Sequence, residues 1–350
     1  MWTEHSTYLE DLNQVIQNEC VFGTDLEGKT ILVTGATGLV GQNIVNALLY
    51  FGMKTSVAPK VLALVRNKEK AQKLFEQQKK DCGDKLEFLI GDVVNLPDIT
   101  EEIDYIIHGA SQTASAAFVR NPVETIETAV VGTKNLLELA RTKQVASFVY
   151  LSSMEAYGSP TEEKLLSENA GACFDSMAVR SCYPESKRMC ESLCAAYAAE
   201  YGVPAKVVRL AQTFGLGVSG EDVRVFADFA RKALKGEDIV MQTKGDSCRM
   251  YLYTMDAAAA ILTVLLKGKN GECYNAANKE TYCSIKKMAE LVSEILSEGE
   301  SGVTIQLDEE NMKKYPPAHK LKLDTSKLEE LGWKAHYGLD EMYRHMVKGF

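Results

Sequence analysis

Long apolar runs are absent from this sequence of 350 residues. A transmembrane helix needs roughly 20 consecutive apolar residues, and no stretch approaches that length. The opening Met-Trp-Thr-Glu-His-Ser shows neither the cationic nor the apolar region of a signal peptide. Basic runs are also missing, and the formal net charge of −9 disfavours a nucleic-acid surface. The sequence therefore predicts a cytoplasmic protein whose partners are neither a membrane nor a nucleic acid.

Cysteine pairing motifs are missing as well. The nine cysteines include no C-x-x-C pair, and an odd number does not suit a disulfide framework. We therefore expect reduced thiols and no metal site. Cys190 and Cys194 stand one helical turn apart, and we expect both of them in the core.

A glycine-rich turn stands between a predicted strand and a predicted helix near the start of the chain. The apolar stretch 29–34 predicts a buried strand, and the motif Gly35-x-x-Gly38-x-x-Gly41 follows it directly. Glycines at this spacing let the chain turn tightly and let a pyrophosphate approach the backbone at the helix N-terminus. The pattern predicts a dinucleotide site formed by Gly35, Thr37, Gly38, Leu39, Val40 and Gly41.

The residues after the next strands leave the choice between NAD and NADP open. Arg66 follows the second predicted strand, where an Asp or Glu would accept the ribose hydroxyls of NAD. An arginine can hold a 2′-phosphate, although a solvated arginine at a helix start is an equally good interpretation. Asp92 and Val93 follow the third strand, where a carboxylate could meet the adenine amino group. Ala110 and Ser111 follow the fourth, and their small side chains let a ring approach the backbone.

A tyrosine and a lysine share one face of a predicted helix that starts near Pro184. Proline fits the first turn of a helix, so Tyr183 lies at the helix start and Lys187 one turn further on. A cationic amine at that distance would favour the phenolate and lower the pKa of Tyr183. The same face continues through Cys190, Cys194, Tyr197 and Tyr201, which suit burial.

The alternation of strands and helices predicts an α/β fold with a doubly wound parallel sheet, the Rossmann fold. Ligands of such sheets bind at the carboxyl ends of the strands, which places the glycine turn, Ser153, Glu155 and Tyr183 around one crevice. We predict a helical extension over 1–28, a dinucleotide-binding domain over 29–215 that also receives parts of 240–275, and a smaller α/β lobe over 216–350. The extension is interpreted as a docked structural helix, with a subunit contact or a lid as the alternatives.

With the three glycines, Ser153 and Tyr183-x-x-x-Lys187 in place, the chain resembles the extended short-chain dehydrogenase/reductases, the group of nucleotide-sugar epimerases, dehydratases and decarboxylases. The resemblance runs from about Lys29 to the C-terminus. Further matching motifs are Asn121-Pro122, Val131-Gly132-Thr133, Ser152-Ser153-x-Glu155-x-Tyr157-Gly158, Arg249-x-Tyr251-x-Tyr253 and Leu323-Asp-Thr-Ser-Lys-Leu-x-x-Leu-Gly-Trp333. Within the group, Arg180-Ser-Cys-Tyr183 and Asp222-Val-Arg224 look most like the UDP-glucuronate decarboxylases.

The resemblance implies a reaction through a 4-keto sugar on a nucleotide carrier. Tyr183 takes the proton of the sugar 4-hydroxyl, Lys187 supports Tyr183 and holds the nicotinamide ribose, and Ser153 donates to the reacting oxygen. The ketone can then lose carbon dioxide, lose water or take hydride back on its other face. These outcomes are those of a decarboxylase, a 4,6-dehydratase and a 4-epimerase.

Glu155 is the residue that discriminates among these outcomes, because decarboxylases and dehydratases of the family carry a glutamate there and many 4-epimerases do not. Met154 replaces a proton donor of the dehydratases and a usual serine of the decarboxylases, and a thioether cannot donate a proton. Arg180, Arg224 and Arg249 are predicted to bind a diphosphate or a sugar carboxylate, and Ser153 and Met154 to line the sugar site.

Two other functions stay open at this point. A net reductase that consumes NADPH is favoured by Arg66, whereas a non-catalytic binding protein is disfavoured because Ser153, Tyr183 and Lys187 are all present. The resemblance also implies a homodimer formed through the helices at 122–143 and 184–201.

Overall fold

The computed structural model of the chain describes residues 6–16, 24–55, 57–307 and 318–350. Strands and helices are numbered along the chain within these ranges. The strands are β1 (Thr30–Thr34), β2 (Lys60–Val65), β3 (Leu86–Ile90), β4 (Tyr105–His108), β5 (Ser147–Ser153), β6 (Leu165–Leu166), β7 (Ala205–Leu210), β8 (Gln212–Phe214), β9 (Ile239–Met241), β10 (Cys248–Tyr253), β11 (Cys273–Ala276), β12 (Asn278–Ser284), β13 (Val303–Ile305) and β14 (Lys320–Leu323).

The helices run between these strands and after them. They are α1 (Ser6–Ile16), α2 (Leu39–Lys54), α3 (Lys68–Leu74), α4 (Glu76–Cys82), α5 (Ser115–Arg120), α6 (Pro122–Lys143), α7 (Cys182–Tyr201), α8 (Val225–Leu234), α9 (Thr254–Lys267), α10 (Ile285–Ser297), α11 (Ser326–Glu329) and α12 (Leu339–Val347). None of these helices is both long enough and apolar enough to cross a bilayer.

Seven parallel strands form the main sheet, in the order β3-β2-β1-β4-β5-β7-β11. The inner strands β1 and β2 are buried on both faces, as their continuous apolar sequences require. In β1, Ile31 and Val33 join one hydrophobic cluster and Leu32 joins the other, because successive side chains point to opposite faces. Helices α1, α2 and α9 pack in the first layer, and α6 and α7 pack in the second. The predicted doubly wound parallel sheet is confirmed.

The second lobe is built on a mixed sheet of five short strands. Strands β12, β10, β14 and β6 pair in that order, β8 also pairs with β10, and only the pair β10–β12 is antiparallel. Its core contains the fully buried rings of Phe214, Tyr251, Trp333 and Tyr343. Strand β11 lies between β10 and β12 along the chain, but it pairs with β7 at the edge of the seven-stranded sheet. The division into three units stays a prediction.

Helix α1 docks across both parts of the chain. Its Tyr8 donates a hydrogen bond to Asn43 of α2 (2.8 Å) and accepts one from Asn46 (2.6 Å). Its Asp11 is fully buried and accepts hydrogen bonds from the hydroxyls of Tyr253 and Tyr337. These contacts fit a docked structural helix.

Candidate active site

The glycine turn after β1 has the shape that a dinucleotide requires. Gly35 has φ +70°, and a Cβ there would lie 2.6 Å from the carbonyl carbon of Gly109. A Cβ on Gly41 would lie 2.2 Å from the oxygen of Gly35, so glycine alone fits both positions. Gly38 is the N-cap of α2 and is exposed, and the first turn of α2 carries no acidic side chain. The open helix N-terminus can therefore hold a pyrophosphate, with the half-buried Thr37, Leu39 and Val40 beside it.

The ends of β2, β3 and β4 supply the other residues of the predicted cofactor site. Arg66 is 77% exposed and forms a long ion pair with Asp92, at 3.8 Å between Nη1 and Oδ2. The buried Val93 contacts α6, where only a glycine, Gly132, leaves room for it. Ala110 donates its N–H to Thr34 Oγ1 at 3.1 Å, which fixes the turn that Ser111 continues. These residues fit a dinucleotide bound across the carboxyl ends of the strands.

Tyr183 lies in the first turn of α7, as predicted, and is buried. A 3₁₀ turn over Val179–Ser181 leads into the helix, and Pro184 occupies its first turn. The ring of Phe118 stacks on Tyr183, with centroids 4.3 Å apart and planes inclined by 11°. The Lys187 ammonium lies 5.6 Å from the centroid of the Tyr183 ring. The spacing of Tyr183 and Lys187 thus brings them together on a buried face.

The electrostatic consequence differs from the sequence-based expectation. Burial raises the pKa of Tyr183, the Glu155 carboxylate raises it further, and a hydrogen bond with Ser153 and the charge of Arg180 lower it. Burial also lowers the pKa of Lys187, to about 8. The expected decrease in the pKa of Tyr183 is therefore wrong for this state, because desolvation of the phenol outweighs the favourable charges around it.

The turn after β5 brings Ser153, Glu155 and Arg180 to the Tyr183 end of α7. Ser153 ends β5 and accepts the N–H of Glu155 at 3.2 Å, capping the 3₁₀ turn Met154–Tyr157. Glu155 Oε2 lies 3.2 Å from Arg180 Nη1, and both side chains reach solvent. Met154 is 4% exposed and packs in the hydrophobic core, so its side chain serves packing.

The other two predicted substrate-binding arginines make their contacts in the second lobe. Arg224 is exposed and forms hydrogen bonds with both carboxylate oxygens of Asp222, the shortest at 2.6 Å. Arg249 is half-buried, and its Nη2 lies 3.0 Å from His319 Nε2. In the described part of the chain, no hydrogen bond or ion pair joins either arginine to the group formed by Tyr183, Lys187, Ser153 and Glu155.

Two residues beside this group, Phe118 and Glu191, were not singled out from the sequence. The sequence around Phe118 contains no motif that indicates a site, because a phenylalanine in a short helix most often serves packing alone. Glu191 follows Lys187 by one helical turn, a spacing that could have drawn attention to it, and it pairs with Arg209 of β7. His108 is fully buried between Thr34 (2.7 Å) and Thr133 (3.1 Å), and burial lowers its pKa to about 3.

Comparisons with known proteins agree with this geometry. The model of the NAD dependent epimerase/dehydratase family matches residues 31–277. UDP-glucuronic acid decarboxylase 6 of Arabidopsis thaliana is 30% identical over 321 residues, which cover 91% of this chain and 88% of the relative. UDP-glucuronic acid decarboxylase 1 of Xenopus tropicalis is 28% identical over 326 residues, covering 91% of this chain and 72% of the relative.

A solved structure supports the same fold. UDP-glucuronic acid 4-epimerase from Bacillus cereus, in complex with UDP-glucuronic acid and NAD, matches with a TM-score of 0.74 at 19% identity. The match covers 91% of this chain and 98% of that one. The resemblance inferred from the motifs is confirmed: the chain belongs to the NAD dependent epimerase/dehydratase family.

Proposed function

We propose that the protein is an NAD(P)-dependent enzyme that oxidises C4 of a nucleotide-linked sugar, and that its substrate is a UDP-glucuronate-type sugar acid which it decarboxylates. The observation that carries the proposal is the group formed by Tyr183, Lys187 and Ser153 at the edge of the sheet where the glycine turn also lies. A phenol, a buried cation and a hydroxyl donor beside a dinucleotide turn suit alcohol oxidation. The decarboxylases among the relatives support the choice of substrate.

The bound cofactor supplies the hydride acceptor, and the residues of this chain handle the proton. Tyr183 takes the proton of the sugar 4-hydroxyl, and Ser153 holds the same oxygen through its hydroxyl. Since burial raises the pKa of Tyr183, the phenolate depends on nearby positive charge, which Lys187 and Arg180 provide. Gly35, Gly38 and Gly41 are the residues that would hold the pyrophosphate of the cofactor.

Arg180 favours a sugar that carries a carboxylate. Only Nη1 of its guanidinium has a hydrogen-bond partner among the described residues, namely Glu155, and the pair is partly exposed. Such a pair is worth at most about 1 kcal/mol, so a substrate carboxylate can take the open donors at little cost. Once C4 is a ketone, a C6 carboxylate belongs to a β-keto acid: the C5–C6 bond breaks, carbon dioxide leaves, and the electron pair of that bond forms a C4–C5 enolate that takes a proton at C5. The 4-ketone would then take back the hydride removed from C4, so the overall reaction is redox-neutral and needs no acid at Met154.

The experiment that tests this function is mass spectrometry of the products from a panel of nucleotide sugars. We expect UDP-glucuronate to give a product lighter by the mass of carbon dioxide. Loss of water from a neutral UDP-hexose or dTDP-hexose, with UDP-glucuronate untouched, would show a dehydratase instead. An isomer of unchanged mass would show an epimerase.

A second candidate function, a net keto-sugar reductase that consumes NADPH, rests on Arg66. Its guanidinium is 77% exposed and only loosely paired with Asp92, so it can accept a 2′-phosphate. Stoichiometric oxidation of NADPH would support this candidate. Retention of cofactor through purification, with no net NADPH use, would support the redox-neutral decarboxylase.

We also propose a homodimer in the cytoplasm, formed by α6 and α7 as the family resemblance implies. Large apolar side chains are exposed on both helices, at Val123 (61%) and Ile126 (43%) of α6 and at Met189 (53%) of α7. Free thiols at the described cysteines suit a reducing compartment. Sedimentation of the wild type and of Val123→Glu/Ile126→Glu tests the dimer, since the charges should give monomers.

A further inference from the structure

Two successive turns of α7 hold two successive residues of β5. Lys187 Nζ donates to the Leu151 carbonyl oxygen at 2.7 Å, and Glu191 Oε1 accepts the Ser152 hydroxyl at 2.5 Å. Ser153, which belongs to the proposed catalytic group, comes next along β5. The position of α7 along β5 therefore sets the distance between Ser153 and the Tyr183–Lys187 pair.

Glu191 is itself fixed from the other side by Arg209 of β7. Arg209 donates Nε to Oε1 at 2.9 Å and Nη2 to Oε2 at 2.6 Å, and the two side chains are only 7% and 11% exposed. Arg209 also donates to the Glu168 carbonyl oxygen at 2.9 Å and lies 4.7 Å above the ring of Tyr157. A bidentate pair with these further contacts leaves the Glu191 carboxylate one defined position.

The buried ammonium of Lys187 needs a negative charge nearby, because a charge without compensation is costly to bury. Burial lowers the pKa of Lys187, and three neighbours oppose that lowering, Cys190 first and then the carboxylates of Glu191 and Glu155. Glu155 is 32% exposed and pairs with Arg180 at the crevice, whereas Glu191 is buried and fixed. The ionisable groups that face Lys187 are His108 of β4, Tyr150 of β5, Glu155 of the turn after β5, and Tyr183, Cys190 and Glu191 of α7.

We propose that Glu191 is a positioning residue for the Tyr183–Lys187 pair: held by Ser152 and Arg209, it fixes α7 against β5 and keeps a negative charge one turn from the Lys187 ammonium. The proposal rests on the proposed function, in which Lys187 must stay cationic while Tyr183 takes a proton. The buried Glu191–Arg209 ion pair would then act in catalysis as well as in stability.

The test uses the double variant Glu191→Gln/Arg209→Met. Glu191→Gln alone leaves the Arg209 charge buried and unpaired and can prevent folding, whereas the double variant removes both charges and keeps an acceptor for Ser152. The charge of Arg209 is not among those that shift the pKa of Lys187, so the variant reports on Glu191. We expect a folded protein in which the alkaline limb of the kcat profile with UDP-glucuronate moves down by about one pH unit.

A second measurement does not depend on turnover. Selective ¹⁵N labelling of lysine lets the Nζ of Lys187 be titrated by NMR, with Lys206 as the internal control, because Lys206 is buried on β7 and burial alone lowers its pKa to about 8. In the double variant the pKa of Lys187 should fall and that of Lys206 should stay.

The outcomes separate the two proposals. If UDP-glucuronate is not turned over but the Lys187 titration shifts as expected, the proposed function fails and the role of Glu191 stands. If the folded double variant keeps both the wild-type pH profile and the wild-type Lys187 titration, Glu191 is only a structural residue and the inference is overturned.

Discussion

Lys187 and Lys206 are two buried lysines of the parallel-sheet domain, and they differ in what surrounds them. They are 3% and 4% exposed, and burial lowers both pKa values to about 8. Lys206 is the second residue of β7 and donates to the hydroxyl of Ser147, the first residue of β5. Lys187 donates instead to Leu151, near the carboxyl end of β5, beside Tyr183.

The contrast separates burial from function. An ammonium with a lowered pKa is often taken as a sign of a functional site, yet Lys206 acquires one through desolvation alone. What distinguishes Lys187 is its position at the carboxyl ends of parallel strands, together with a phenol on its own helix face and the fixed carboxylate of Glu191 one turn away. The geometry of the sheet, rather than the titration of one group, marks the candidate site.

Removal of the Tyr183 hydroxyl should have the largest effect on activity, because Tyr183 is the phenol beside Lys187. For Tyr183→Phe we expect turnover of UDP-glucuronate to fall by about 10³-fold or more, since Tyr183 is the residue proposed to take the 4-hydroxyl proton. The stacked Phe118 should keep the new ring in place, so circular dichroism and melting should stay near wild type. Steady-state kinetics check the prediction, with Tyr197→Phe on the same helix as the control; activity of Tyr183→Phe close to that control would rule out the proposed mechanism.

The glycine turn and the Tyr183–Lys187 pair were predictable from sequence because their residues lie close together along the chain. Gly35, Gly38 and Gly41 sit within a single turn, and Tyr183 and Lys187 sit within one turn of one helix, so spacing alone brings them together. The strand–turn–helix context then fixes the edge of the sheet at which they meet.

The partners from distant parts of the chain were not predictable in the same way. Phe118 stacks on Tyr183, which lies 65 positions further along the chain, and Arg209 reaches Glu191 from a different element, so no local pattern records either contact. The pKa of Tyr183 was predicted in the wrong direction because sequence spacing shows the neighbouring cation but not the depth of burial. The short strands of the second lobe, such as β8 and β14, carry too few residues for a period-2 pattern to stand out.

Replacement of each lysine by methionine tests the comparison directly. Lys187→Met should lower kcat by about 10²-fold, because the phenolate loses its buried counter-charge, while Lys206→Met should stay within about twofold of wild type. Methionine keeps the length of the side chain and removes the charge. Initial rates of the two variants, measured in parallel, test this prediction. If both variants lose activity equally, the position of Lys187 at the carboxyl ends of the strands is not what makes it functional.

The smallest expected effect concerns stability and belongs to Lys206. Below pH 8 its ammonium is charged in both the folded and the unfolded chain, and the folded chain bears the cost of burying it. Between about 8 and the ordinary lysine value of 10.5 the folded chain releases the proton that the unfolded chain keeps, so the free energy of unfolding contributed by this group rises with pH. Lys206→Met should therefore be more stable than wild type at pH 7, by on the order of 1 kcal/mol, and the advantage should shrink towards pH 10. Urea unfolding at a series of pH values measures the difference. A stability gap that does not change with pH would mean that the native protein accommodates the Lys206 charge without cost, in which case Lys206 is no longer the example of burial without function.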